Sequence, residues 1–133
     1  MQDPILLFQK GLGCVHSLSH SLGGVDPRLH HGTLNAMFLP AVVRFNARAE
    51  SVQKAHRLDR MARAMGLQSG GDIAEAITDM NARLGLPTGL AAMGVERDWF
   101  DNIIKGALAD HCHGTNPRIA SVQDYEAMLA ASM

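Results

Sequence analysis

The stretch "GLGCVHSLSHSLGGVDPRLHHGTLNA", residues 11–36, carries four of the chain's seven histidines and decides how the rest is read. Its apolar residues Leu12, Val15, Leu18 and Leu22 recur at three- and four-residue steps, and Ile5 and Phe8 extend the series upstream. That is the helical period, so residues 5–22 are predicted to form a helix with one apolar face. Gly23-Gly24 is the predicted stop, because glycine adopts the left-handed conformation at a helix C-terminus without a Cβ penalty. Residues 25–31, with Asp26 and Pro27, are read as a loop. A second, more uniformly apolar helix is predicted over residues 32–48, through Leu34, Met37, Phe38, Val42 and Phe45. Pro40 lies inside it, lacks a backbone donor, and is expected to kink it.

Outward from this pair the helical pattern persists. Residues 49–65 repeat apolar groups at Val52, Ala55, Leu58, Met61 and Met65, and Gly66 closes that helix. In "SGGDIAEAITDMNARLG", Asp72 with Glu75 three residues on reads as a capping box. Ile73, Ile77, Met80 and Leu84 form the expected buried stripe, ended by Gly85 and Pro87. A further helix is expected over residues 98–109, with Trp99, Ile103 and Leu108 inward, and Ser121 with Asp124 opens a short last one carrying Tyr125, Met128 and Leu129. No useful stretch alternates apolar and polar residues with β-branched enrichment. The predicted fold class is all-α, a bundle of about six helices in one domain, residues 1–133.

Composition narrows the partners. A formal charge of −1 creates no sign-biased field, so nothing points to nucleic acid or an anionic membrane surface. No apolar run approaches the length that crosses a bilayer, and the opening MQDPILLFQK lacks the basic start of a signal peptide. Two cysteines, Cys14 and Cys112, are too few for a disulfide framework, which favours a reducing compartment; cytoplasm is the expected location.

His16 and His20 stand four apart on a predicted helix, so both imidazoles share a face and could hold one ion. His30 or His31, from the loop that follows, could fold back as a third donor. A catalytic divalent ion takes three or more protein ligands and keeps one position open. The plainer alternative is that His20 and His30 are partly buried and satisfied by backbone carbonyls, with no ion. Asp26 is the one acidic residue nearby, and it sits beside Pro27 in an expected turn.

The order of residues is more specific than their composition. G-x-G-x-x-H-x-x-x-H-x-L-G-G, then H-G-x-x-N-A-x-x-L-P-x-V-x-x-F-N, reads here from Gly11 through His16, His20, His31, Gly32, Asn35 and Pro40 to Asn46. This resembles the signature of the iron-containing (group III) alcohol dehydrogenase family. "LGLPTGLAAMGV", residues 84–95, and "ALADHCHGTNPR", residues 107–118, resemble that family's later segments. The resemblance implies the helical, metal-binding C-terminal domain of the dehydroquinate synthase-like/iron alcohol dehydrogenase fold. It further implies that His16 and His31 match metal ligands for Fe²⁺ or Zn²⁺, and that His20 matches a catalytic histidine beside the metal and nicotinamide. Cys112 and His113, with His111, fall on a segment bordering the cofactor cleft, and Asp110 is expected to serve that segment's structure.

The family's remaining ligands, an aspartate and a histidine, precede the glycine-rich helix, where this sequence offers only Asp3 before Pro4. No strand–glycine loop–helix unit for NAD or NADP occurs either, so the chain is expected to correspond to a little over the last third of an enzyme acting on a small alcohol. Alone, it is expected to be inactive. An uncovered apolar cleft face would be hidden by self-association or a partner, and a non-catalytic metal-binding or interaction module is the alternative function. Other features read plainly: the methionines fill gaps, His56 lies at the surface, Cys14 is a small buried residue, and Arg118 pairs within the bundle. Cys112, flanked by His111 and His113, would have a lowered thiol pKa were those rings protonated.

Overall fold

The computed structural model describes residues 12–133. Among them are seven α-helices and no strand: α1 Cys14–Val25, α2 His31–Asn46, α3 Glu50–Lys54, α4 Arg57–Ala64, α5 Ile73–Arg83, α6 Phe100–Ala109 and α7 Val122–Ala131. The predicted helical content over residues 5–11 lies outside the described residues.

The core forms where α1 packs on α6 and α2, and α7 closes on α2 and α6. Leu18 and Leu22 of α1 meet Leu34 and Phe38 of α2, Ile103 of α6 and Leu129 of α7, all fully buried. The α1–α6 approach is close because Gly106 leaves room for Ser21, whose hydroxyl donates to the Ile103 carbonyl at 2.7 Å. A smaller cluster of Ala62, Ile73 and Ile77 joins α4 to α5.

Several helix ends differ from expectation for identifiable reasons. Gly13, not helical, has φ 75° and precedes α1. Its conformation turns the Cys14 amide onto Asn116 Oδ1 at 3.1 Å, and Asn116 in turn exchanges hydrogen bonds with Asn46. Gly23-Gly24 does not stop α1, which runs on to Val25. Asp26 ends it, donating its N–H to the Leu22 carbonyl and binding Arg28 through both carboxylate oxygens, at 2.9 and 2.7 Å. The predicted helix over residues 49–65 is two helices, broken at His56, a non-glycine residue in the left-handed region (φ 47°). Beyond that break Leu58 abuts the Gly70 backbone and Asp59 accepts its N–H. The reciprocal cap of "SGGD" is Ser69 with Asp72, one turn earlier than Asp72 with Glu75, and it opens a 3₁₀ turn before α5. Ile73 and Ile77 are buried as expected, whereas Met80 and Leu84 face solvent, Leu84 being 67% exposed. Gly85 does terminate α5, with φ 70°, and the Ser121–Asp124 capping box opens α7 as read.

Pro40 does not interrupt α2. Proline removes the N–H that would have reached the Ala36 carbonyl four residues back. Buried Asn81 of α5 supplies the missing donor, its Nδ2 reaching Ala36 O at 2.9 Å. The defect in one helix becomes the docking point for another.

Candidate metal centre

Four imidazoles gather at one end of α1 and the start of α2. The His16 ring centroid lies 5.6 Å from His20 and 5.4 Å from His31, and His20 stacks on His31 at 5.3 Å. His111, from the turn after α6, stacks on the far side of His20 at 6.0 Å. The helical spacing of His16 and His20 puts both on one face. His31 joins them because α2 begins there and its first residues fold back over α1. His30 stays outside the group as the exposed residue preceding α2.

Asn35, one turn into α2, stands between His16 and His31. Its Nδ2 lies 3.4 Å from His16 Nε2 and 3.1 Å from His31 Nε2, so the two ring nitrogens converge on one amide group. The two hydrogens of one –NH₂ can serve both only if each Nε2 presents its lone pair, the form in which imidazole binds a metal. His16 Nδ1 is buried with no partner. Burial pushes the His16 pKa down, and charge on His31 or His20 would push it further. All of this keeps His16 neutral, which suits a ligand. Two imidazoles, however, are fewer than the three protein donors a catalytic ion takes. The residues present fit half a site.

His20 is held differently. Its Nδ1 lies 3.0 Å from Asp110 Oδ2, while Asp110 Oδ1 accepts the Cys112 backbone N–H at 2.8 Å. Burial opposes the charge on Asp110, yet the Cys112 amide, His20 and the Cys112 thiol together hold its carboxyl below the usual range. Asp110 therefore does more than serve its own segment. It orients His20 from ninety residues away, a pairing with no local signal in the sequence. His20 is satisfied by this carboxylate rather than by a backbone carbonyl, and Asp26, occupied by Arg28, takes no part.

The rest of that segment points inward. Cys112 is 1% exposed, and burial with the neighbouring Asp110 raises its thiol pKa, so the lowered pKa that flanking histidines could have produced does not arise. His113 turns away from the cluster to the Tyr125 hydroxyl, 2.9 Å from its Nδ1. Arg118 lies over the Phe45 ring at 4.1 Å and reaches Asp124 at 3.4 Å, the internal role expected of it. A cavity of about 300 Å³ between α2, α5 and the C-terminal residues is lined by Met37, Pro40, Asn81 and Met133, among others, and by no histidine. The imidazoles instead form an open surface cluster, as one wall of a cleft would.

With this geometry in view, likeness to known proteins decides the family. The model of the Fe-containing alcohol dehydrogenase family, C-terminal, matches residues 5–133. The chain belongs to this family. It is 61% identical over 132 residues to a 4-hydroxybutyrate dehydrogenase of Cupriavidus necator, covering 96% of this chain and 35% of that protein. An NAD-dependent methanol dehydrogenase of Bacillus methanolicus is 38% identical over 118 residues, 86% of this chain and 31% of the relative. The crystal structure of a 1,3-propanediol oxidoreductase superposes with a TM-score of 0.80 at 32% identity, covering 92% of this chain and 33% of that one. The chain thus spans about a third of the length of the relatives it matches. Asn35, Asn46 and Asn116 lie in the stretches that carry the resemblance, and their structural work was not legible from the sequence.

Proposed function

We propose that this chain is the metal-binding third of an NAD(P)-dependent alcohol dehydrogenase, with His16 and His31 as two of the ligands of an Fe²⁺ or Zn²⁺ ion. The observation that carries this reading is the convergence of the two Nε2 atoms on Asn35. An ion held there, completed by donors from outside residues 12–133, would supply Lewis-acid polarisation of an alcohol oxygen.

His20 supplies the proton chemistry. Asp110 holds Nδ1 of its neutral ring protonated, which leaves Nε2 free toward the open face. That nitrogen is placed to accept the hydroxyl proton of the alcohol, directly or through water, and a bound nicotinamide would take the carbinol hydride. The products are the carbonyl compound, NAD(P)H and a proton on His20. Asp110, only 14% exposed, stabilises the imidazolium that results. His20 would also border a bound nicotinamide, with Cys112 and His113 as the wall behind it, acting through packing and the Tyr125 hydrogen bond rather than through free polar groups. By likeness to the 61% identical relative, the substrate class is a short primary alcohol carrying a carboxylate, such as 4-hydroxybutyrate.

On this reading the half that binds the nicotinamide comes from outside residues 12–133, so the 133-residue chain alone is inactive. An unfilled cleft face favours a second copy or a partner, and both cysteines are free, consistent with the cytoplasm. Among the described residues no helix is long and apolar enough to cross a membrane.

A chimera tests the proposal: this chain replaces the C-terminal third of the Cupriavidus 4-hydroxybutyrate dehydrogenase. NAD-dependent oxidation of 4-hydroxybutyrate by the chimera, lost together with bound metal in His16→Ala, is the expected result. A folded, metal-loaded chimera without activity, or turnover by the 133-residue chain alone, overturns it.

A further inference from the structure

His20, Asp110 and Cys112 bring three different metal-ligating atoms together beside, but separate from, the His16–His31 pair. A ring nitrogen of His20, a carboxylate oxygen of Asp110 and Cys112 Sγ all lie within 4.8 Å of one another, and His20 Nδ1 is 3.0 Å from Asp110 Oδ2. We propose that these residues form a second cation site, selective for a thiophilic divalent ion of the zinc class, with His111 as the fourth donor.

Charge is the first argument. The His16–His31 pair offers two neutral donors, which balance none of an ion's charge. A thiolate, a carboxylate and two imidazoles neutralise a divalent ion completely and fill a tetrahedron, the usual zinc arrangement. Sulfur and imidazole ligands together favour zinc over magnesium or calcium. All four donors come from this chain.

Rigidity is the second. The Cys112 amide pins Asp110 Oδ1, fixing carboxylate and thiol in one turn. His20 is carried by α1, which the Ser21–Ile103 hydrogen bond and the close approach at Gly106 lock against α6 just before that turn. His111 is the movable member. Its side chain is 83% exposed, its Nε2 already lies 3.4 Å from Cys112 Sγ, and its Nδ1 lies 3.8 Å from Asp110 Oδ1. With ligand distances of about 2.0 to 2.3 Å, tetrahedral zinc needs donors roughly 3.5 Å apart. The donors of His20, Asp110 and Cys112, at most 4.8 Å apart, therefore close by about 1 Å, a side-chain adjustment, and His111 swings its exposed ring to join them. The exposed rims of His20 and His111 give the ion its way in.

Binding releases the thiol proton to solvent, and His20 changes tautomer, its proton moving from Nδ1 to Nε2 as the ion takes the Nδ1 position. An occupied site removes the Asp110–His20 hydrogen bond on which the proton transfer proposed above depends, so the ion would act as an inhibitor of an assembled enzyme.

Cobalt(II), a spectroscopic stand-in for zinc, tests the site in the 133-residue chain. One equivalent should produce the near-ultraviolet thiolate-to-cobalt charge-transfer band, and added Zn²⁺ should abolish it. The band should disappear in Cys112→Ser and be lost or strongly weakened in His20→Ala and Asp110→Ala. It should persist in Cys14→Ser and in the His16→Ala/His31→Ala double variant. Helical circular dichroism checks folding, and the half-exposed His20→Ala remains informative should Cys112→Ser fail to fold. No charge-transfer band in the native chain, a band that survives His20→Ala and Asp110→Ala, or one that needs His16 and His31 overturns the proposal. None of these outcomes bears on the chimera experiment, which reports on the other pair.

Discussion

Removing the Asn81 amide should destabilise the bundle through a defect three helices away in sequence. Pro40 leaves the Ala36 carbonyl without its helical donor, and Asn81 Nδ2 fills the gap at 2.9 Å. Asn81 is 8% exposed, so little water can replace it. Leaving a desolvated carbonyl unpaired costs about 1–3 kcal/mol. Asn81→Ala should therefore lower the unfolding free energy by that amount, or shift Tm by roughly 4 °C per kcal/mol at this chain length. The sharper measurement is a double-mutant cycle with Pro40→Ala. In that background residue 40 regains an N–H, the helix satisfies Ala36 itself, and the cost of Asn81→Ala should fall by at least about 1 kcal/mol. Urea unfolding followed by far-ultraviolet circular dichroism gives all four corners of the cycle. Additivity within error would refute the argument, because it would mean that Asn81 contributes through packing alone.

Three further outcomes are expected. Gly13→Ala should cost about 1–3 kcal/mol for its positive-φ, extended-ψ backbone alone, and more because its Cβ would stand 2.6 Å from Asn116 Oδ1; thermal unfolding would show whether the cost stays below that. Ser121→Ala, which deletes the cap accepting the Asp124 amide at 3.1 Å, should lose about 1 kcal/mol in the same assay. The third concerns pH in the metal-free, chelator-treated chain. Burial lowers the His16 pKa below its ordinary 6.5, so the unfolded chain binds that proton more tightly. Stability from this source is full above about pH 6.5 and declines as the pH falls below it. His16→Gln should flatten that part of the profile while His20, His31 and Asp110 remain around it; an unchanged slope in urea midpoints would refute the assignment. The depressed Asp110 carboxyl acts in a separate window, its stabilisation lost as the pH falls below 3.8.

Local signals were legible where the chain settles its own geometry. The Ser121–Asp124 cap and the stop at Gly85 were read at their positions because each depends on residues within one turn. The stop misplaced at Gly23-Gly24 shows the limit of such reading. A glycine permits a left-handed turn but does not require one, and the turn came at Asp26, where Arg28 binds its carboxylate. Likewise the stripe over Met80 and Leu84 has helical period, but α5 turns Ala74, Ile77 and Asn81 onto its neighbours instead. His56 breaks a run that looked continuous, as tertiary contact at Gly70 draws α4 aside.

Sequence alone determined the helical class, the family likeness carried by the histidine and asparagine motifs, and the presence of two imidazoles one turn apart on α1. Those follow from periodicity and residue order, which are properties of neighbours along the chain. Only the tertiary structure decided that Asn35 stands between the two Nε2 atoms, that Asp110 orients His20, and that Asn81 completes the helix Pro40 would have left open. Each of these is a contact set by how helices pack, and a donor finds its acceptor across space at a distance that sequence separation does not encode.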